Sequence, residues 1–287
     1  MSMAQIALFR GDFRQALDIG ERRLKLASDG RNHPQMALSR NFLAFIHHFV
    51  GDWTSAKTLL KENLKPESHA GSVFTRLSTQ FLRWLDGDWE AARDMLVEGL
   101  GEAEQEANVQ IEFRHYISLI NYSIDLEEYD AAVRWSREAL QARRPYHDYP
   151  GFIPGAVVFA ALALGLGGHL DEANEALAQA EVTRSEIRDA YDSLTRAVIQ
   201  AKSDAWGQAL QTLDQCISRF QGMGMIGEAA WAQWIFGRLL LAQDDAARRD
   251  QGRRLLGEAL ETYERIGATR YVEEIRKRLA AAGGETR

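Results

Sequence analysis

The sequence predicts an all-α fold built as an array of helical hairpins, and three observations carry that expectation. Proline is sparse: five in 287 residues, at Pro34, Pro66, Pro145, Pro150 and Pro154, where the usual share is roughly 5%. Long proline-free stretches are what extended helix requires. Alternating β-branched runs bounded by turns do not occur, whereas apolar residues recur with helical period throughout. Finally, one short phrase returns along the chain: an aromatic or large apolar residue, an alanine three positions later and often Gly-Asp just before.

The phrase reads Gly11-Asp12-Phe13 with Ala16, Gly51-Asp52-Trp53 with Ala56, and Gly87-Asp88-Trp89 with Ala92. Weaker copies are Glu128-Tyr129 with Ala132, Gly168-His169-Leu170 with Ala173, and Trp206 with Ala209; a seventh has Arg249 and Gly252 in the two slots. Successive copies lie 40, 36, 40, 41, 36 and 43 residues apart, the regularity of a repeat array. Each part has a mechanical role. Glycine ends one helix by taking the left-handed conformation, and aspartate caps the next by accepting from its free N–H groups. The alanine is small because two helices cross closely there. Four residues on, Leu60, Leu96, Leu177, Leu213 and Leu256 continue the same face, with Gly20 and Ser136 as exceptions.

In chain order the expected hairpins are 2–27, 34–63, 70–105, 108–142, 152–181, 184–221 and 225–265, in a single domain over 1–287. Second helices are expected to stop near Gly30, Gly71, Gly222 and Gly267. A last helix over 269–281 closes the stack, with Tyr271, Ile275 and Leu279 on its packed face and Glu273, Glu274, Arg276, Lys277 and Arg278 toward water. The connector 145–154, rich in proline and aromatic residues, is the one unusual linker, an ordered loop placed to touch a ligand or a second copy of the chain.

These residues resemble the tetratricopeptide repeat family. The match rests on the Gly-Asp-aromatic-x-x-Ala phrase and on Leu43-Ala44 ahead of Trp53. The resemblance implies two antiparallel helices per unit, stacked into a right-handed superhelical solenoid of about seven hairpins plus a capping helix. Units of 36 to 43 residues exceed the family's usual length of about 34. Gln80, Ile120 and Arg249 stand where the family prefers a small, a small and an aromatic residue. The ending Ala259-Leu260-x-x-Tyr263-x-x-Ile266-Gly267-Ala268, followed by one terminal helix, is similar to the long-unit repeat regions of bacterial signal-transduction ATPases and transcription activators. The short first helix before Gly11 fits either a cut from a longer chain or a short native helix.

Composition narrows the function. With 46% hydrophobic residues and 26% charged, the chain has ample material for a folded core. Its 34 basic and 41 acidic residues give a net charge of −7, which disfavours extended phosphate-backbone binding, so no direct nucleic-acid partner is expected. The lone Cys216 excludes an internal disulfide and points to a reducing compartment; seven residues after Ala209, it falls on the packed face of its helix. The best apolar run, 153–166, is too short for a membrane span, and the N-terminus lacks a signal-peptide pattern, so a cytoplasmic protein is expected.

Catalytic chemistry finds little support. The stretch Gly222-Met223-Gly224-Met225-Ile226-Gly227 satisfies the dinucleotide fingerprint literally, but the fingerprint works only after a strand, and here it reads as a turn between helices. His47 and His48 are neighbours on one helix and so point about 100° apart, while His115, His147 and His169 sit on separate units. No nucleophile elbow or phosphate-cradling loop occurs. The chain is therefore expected to be no enzyme and to carry no metal or cofactor. Arg248, Arg249, Arg253 and Arg254 are interleaved with Asp244, Asp245 and Asp250 and read as a solvated helix start.

In a stacked hairpin array the first helix of each pair lines the concave side. Set in register by their turns, the inward positions are Asn41, Phe45 and His48; Phe74, Leu77, Phe81 and Trp84; Arg114, Ile117 and Asn121; Tyr191, Leu194 and Val198; Trp231, Trp234 and Arg238. Aromatic residues concentrated on one face mark a binding surface, although a one-residue register error would turn any of them into the core. The expected function is a non-enzymatic protein–protein interaction scaffold that takes a peptide or partner domain in an apolar groove, with Asn41, Arg114, Asn121 and Arg238 fixing the backbone or an acidic group. The alternative is a ligand-sensing regulatory segment of a larger ATPase-type signalling or transcription regulator. A homodimer is another destination for the aromatics.

Overall fold

In a computed structural model, which describes residues 7, 10–68, 72–105, 109–143, 152–180 and 185–284, the chain is all-α, with no strand among the described residues. In order the helices are α1 (Phe13–Asp29), α2 (His33–Phe49), α3 (Trp53–Leu64), α4 (Ser72–Asp86), α5 (Trp89–Gln105), α6 (Val109–Asp125) and α7 (Tyr129–Arg143). They continue with α8 (Phe152–Leu166), α9 (Leu170–Ala180), α10 (Glu186–Lys202), α11 (Trp206–Gly222), α12 (Ile226–Leu241), α13 (Ala246–Ile266) and α14 (Thr269–Gly284). These match the expected helices to within a few residues. Most of the first helix of hairpin 2–27 and most of the 145–154 connector lie outside the described residues.

The recurring phrase is a helix stop joined to a helix start. Among the described residues nine helices begin two residues after a left-handed backbone: Gly11, Arg31, Gly51, Gly87, Glu127, Gly168, Asp204, Gly224 and Gly267. The residue that follows donates its N–H five positions back, as in Asn32 to Ala27, Asp52 to His47, Glu128 to Ser123, His169 to Leu164 and Ala268 to Tyr263, at 2.8 to 2.9 Å. That bond closes a Schellman helix end. Position rules over residue type here: Glu127 and Asp204 hold φ of 60° and 59° where their copies lack glycine. Gly30 correspondingly stays at φ −82° while Arg31 takes the turn, and Gly224, two residues after Gly222, takes the next. Asp12 and Asp52 cap as expected, accepting from the N–H groups of Gln15 and Ser55 at 3.0 and 3.1 Å.

The phrase alanines Ala16, Ala56, Ala92, Ala132, Ala173 and Ala209 are fully buried. In the seventh copy the crossing is closer still, since a Cβ on Gly252 would stand 2.9 Å from the Gly237 carbonyl oxygen. Arg249 there closes the turn behind it, its guanidinium donating to the carbonyls of Gln243 and Asp244 at 3.2 and 3.0 Å. The helix itself starts under an Asp245 cap that accepts from the Arg248 N–H at 2.8 Å.

The chain folds as two compact units, one of Met1–Gly11 with Asp88–Gln215, the other of Asp12–Gly87 with Cys216–Arg287. In the first, α6, α8 and α10 pack in succession, and α5, α7 and α9 pack against them. Arg93 and Arg137, on the second helices α5 and α7, pair with Glu128 and Glu172 at the turn or start of the next second helix. Lys57 of α3 makes the same kind of forward pair in the second unit, 2.9 Å from Asp86.

In the second unit α1 to α4 pack in order, α2 also packs on α4, and α12, α13 and α14 pack in order. Helix α12 packs on α2, so hairpins far apart in sequence share one core. Gly51 marks that junction: its φ is +79°, and a Cβ would lie 2.6 Å from the Ile226 side chain and 3.1 Å from that of Ile266. Gly168, at φ +84°, has nothing within 4 Å of the same position. Gly168→Ala should therefore lose only the left-handed penalty of about 1–2 kcal/mol, and Gly51→Ala should lose clearly more. Equal losses in urea unfolding would contradict the close approach. Among the described residues no helix is long and apolar enough to cross a membrane.

Candidate functional site

Ten of the expected groove residues fall in the second unit: Asn41, Phe45 and His48 on α2, Phe74, Leu77, Phe81 and Trp84 on α4, and Trp231, Trp234 and Arg238 on α12. Phe45 and His48 are three residues apart, as are Phe81 and Trp84, so each pair shares a helix face, and the packing of α2 on α4 brings the faces together. His48 is the hub. Its ring stacks on Trp53 at 5.4 Å, stands edge-on to Trp84 and Phe81 at 5.2 and 5.6 Å, and lies 5.7 Å from Phe49. Phe45 joins through Phe49 at 4.4 Å.

The network continues through α14. Tyr271 meets Trp84, Trp53 and Trp234 at 6.1, 6.4 and 6.4 Å and stacks on Tyr263 at 4.3 Å. Arg238 and Arg278 lie over the Trp234 ring, 4.4 and 5.2 Å from its centre. The expected residues Phe45, His48, Phe81, Trp84, Trp234 and Arg238 thus belong to one continuous set of ring contacts.

This set has a closed floor and a half-open row. Trp53, Trp84, Trp234, Tyr263 and Tyr271 are buried, while Phe45, His48, Phe74 and Phe81 keep part of their surface in water. Burial among the rings pushes the His48 imidazole down from 6.5 to about 3, so it is neutral at pH 7. Its Nδ1 and the indole N–H groups of Trp53 and Trp234 are buried with no hydrogen-bond partner among the described residues. His47 turns the other way, its Nδ1 3.2 Å from the capping carboxylate of Asp52.

Asn41 serves a different purpose. Its amide donates to the Ala37 carbonyl at 3.1 Å and its oxygen accepts from the Ser78 hydroxyl at 3.3 Å. Asn63 joins them, donating to Ala37 and Ser78 at 3.0 and 3.1 Å, which ties α2, α3 and α4 together. Trp231 is buried and Phe74 half-buried. Six groove positions fall in the first unit, Ile117, Leu194 and Val198 among them; Arg114 there is half-buried, and desolvation draws its guanidinium below the usual range. Asn121, two turns along the same face of α6, has a buried Oδ1 that accepts from no group among the described residues. Tyr191 is buried edge-on to Phe159 at 4.8 Å.

Sequence reasoning left Tyr271 and Arg278 out of the site. Arg278, expected to face water, is half-buried over Trp234 because it lies seven residues after Tyr271 and three after Ile275, on their stripe. That spacing was the available signal. Glu273, Arg276 and Lys277 are exposed, and Glu274 pairs with Arg270 at 3.3 Å. Cys216 is buried, and 222–227 is the turn from α11 into α12. Among the described residues no group of three His, Cys, Asp or Glu side chains is placed to hold a metal ion.

No family model matches the sequence, and no curated protein matches it. The functional reading rests on the residues themselves.

Proposed function

We propose that this chain is a non-enzymatic protein-interaction scaffold, a tetratricopeptide-like solenoid of helix hairpins acting in the cytoplasm, whose aromatic row on α2 and α4 receives an apolar peptide segment. The observation that carries the reading is the half-open row itself. Phe45, His48, Phe74 and Phe81 share the facing sides of two packed helices, above a floor of buried rings. Leu26 and Val97, the large apolar side chains most open to water among the described residues, stand singly on α1 and α5. A row of rigid aromatics gives large contact area at low entropic cost, and a neutral His48 adds no charge that an apolar side chain would have to desolvate.

Peptide display on the purified full chain tests this. Selected peptides should carry large apolar residues, and Phe81→Glu or Phe74→Glu should weaken them by about 2 kcal/mol, roughly thirtyfold, with unchanged helical circular dichroism. Full affinity in both variants would overturn the assignment. A ligand-sensing segment of a larger ATPase-type regulator is the second reading, favoured by the Trp53 N–H in the floor and the His48 Nδ1 in the row, both buried with no partner among the described residues. A metabolite that raises the Tm of the isolated chain would favour it.

A further inference from the structure

The half-open row of Phe45, His48, Phe74 and Phe81 holds one polar side chain, and it is an imidazole. Its neighbours hold that ring in place: it stacks on Trp53 with 29° between the planes and stands edge-on to Trp84 and Phe81 at 5.2 and 5.6 Å. The two nitrogens therefore have fixed and different surroundings. Nδ1 is buried with no hydrogen-bond partner among the described residues, yet His48 keeps part of its surface in water. Water reaches it away from Nδ1, on the side of the ring that carries Nε2. A neutral imidazole has one N–H and one bare nitrogen, and this ring is neutral at pH 7. A buried N–H without an acceptor is the rarer orphan, so the proton belongs on Nε2, where a group outside the protein can accept from it.

A donor at the edge of an aromatic row selects an acceptor. A carboxylate there would give up its water against phenyl rings, whereas a main-chain carbonyl is neutral and loses far less. Carbonyls inside a helix already accept from the N–H four residues on, but those of an extended segment are free. We infer that the partner crosses the row as an extended apolar segment, its side chains on Phe45, Phe74 and Phe81 and one of its main-chain carbonyls accepting from the Nε2–H of His48. The His48 and Phe81 rings are 5.6 Å apart, so a residue whose side chain rests on Phe81 has its own or its neighbour's carbonyl within reach of Nε2. This rests on the scaffold reading above and adds the partner's conformation and a polar bond that fixes its register.

The test begins with the free full chain at pH 7, where long-range proton–nitrogen correlation spectra should show His48 as the Nε2–H tautomer; an Nδ1–H tautomer would overturn the donor. Peptides selected on the full chain are then resynthesised with each main-chain amide in turn replaced by an ester, whose carbonyl is a weaker acceptor. One ester is expected to bind the wild type about fivefold more weakly, the worth of one neutral hydrogen bond. On His48→Phe, which keeps a ring in the row and removes the donor, that ester should bind as well as its amide parent. If every ester loses the same affinity on both proteins while Phe81→Glu still weakens the parent, the His48 bond is refuted and the scaffold reading stands. Coupling of His48 to an Asp or Glu side chain of the peptide would overturn the main-chain acceptor, and peptides that bind only as helices would overturn the extended form. If no peptide is enriched, both readings fall.

Discussion

Trp53→Ala is expected to lower the unfolding free energy by about 3–5 kcal/mol, the usual cost of deleting a large buried aromatic side chain. Trp53 is 3% exposed and opens α3, directly behind the Asp52 cap. Its ring touches groups from three other helices: His48 of α2 at 5.4 Å, Trp84 of α4 at 5.4 Å and Tyr271 of α14 at 6.4 Å. Those helices are fixed by their own packing and cannot close over the void, so the cavity penalty adds to the lost transfer energy. Trp53→Phe should cost far less, because the phenyl ring refills most of the volume and the indole N–H it removes has no partner among the described residues. Leu26→Ala, at a side chain 73% exposed, should change stability by no more than about 0.5 kcal/mol. Urea unfolding of the three variants decides the matter. A loss under about 1 kcal/mol in Trp53→Ala would mean that the aromatic slot is not a packing element.

The helices and their junctions were legible because the signals for them are local. A left-handed residue two positions before a helix, an aspartate cap and an alanine at the crossing all lie within six residues of one another, and Gly51-Asp52-Trp53 with Ala56 shows each of them in place. The facing positions Phe45, His48, Phe81 and Trp84 were legible for the same reason, since helical period alone sets which residues share a side. What could not be read was any contact between hairpins distant in sequence. Nothing near Tyr271 in the chain says that Trp53 and Trp84 will meet its ring, because that depends on α12 packing on α2, a contact made across some two hundred residues. The internal hydrogen bonds of Asn41, expected to fix a peptide backbone, are out of reach of the sequence for a related reason. Its partners Asn63 and Ser78 sit on two other helices, and only their convergence shows that its amide is already used.

Acid should weaken the fold through His48. In the unfolded chain its imidazole takes a proton below about pH 6.5, whereas among the rings it stays neutral down to about pH 3. Above pH 6.5 neither state binds this proton and its contribution is flat. Below that the unfolded chain binds a proton the fold refuses, so stability falls with pH by up to about 1.4 kcal/mol per unit. Between pH 6.5 and 4.5 the loss reaches at most about 3 kcal/mol, and partial access of the ring to water makes it smaller. His48→Phe keeps an aromatic ring against Trp53, Trp84 and Phe81 and removes the titration. The difference between wild type and variant should therefore grow as pH drops through this window, while histidines common to both cancel. Asp52 does not confuse the comparison. Burial works against its charge, but hydrogen bonds from Ser55 and the nearby His47 hold its carboxyl below the usual 3.8, so its own contribution is lost only at lower pH. Parallel stability curves for the two proteins from pH 7 to 4.5 would show that the imidazole is solvated enough to protonate in place, and would remove the neutral hub from the peptide row.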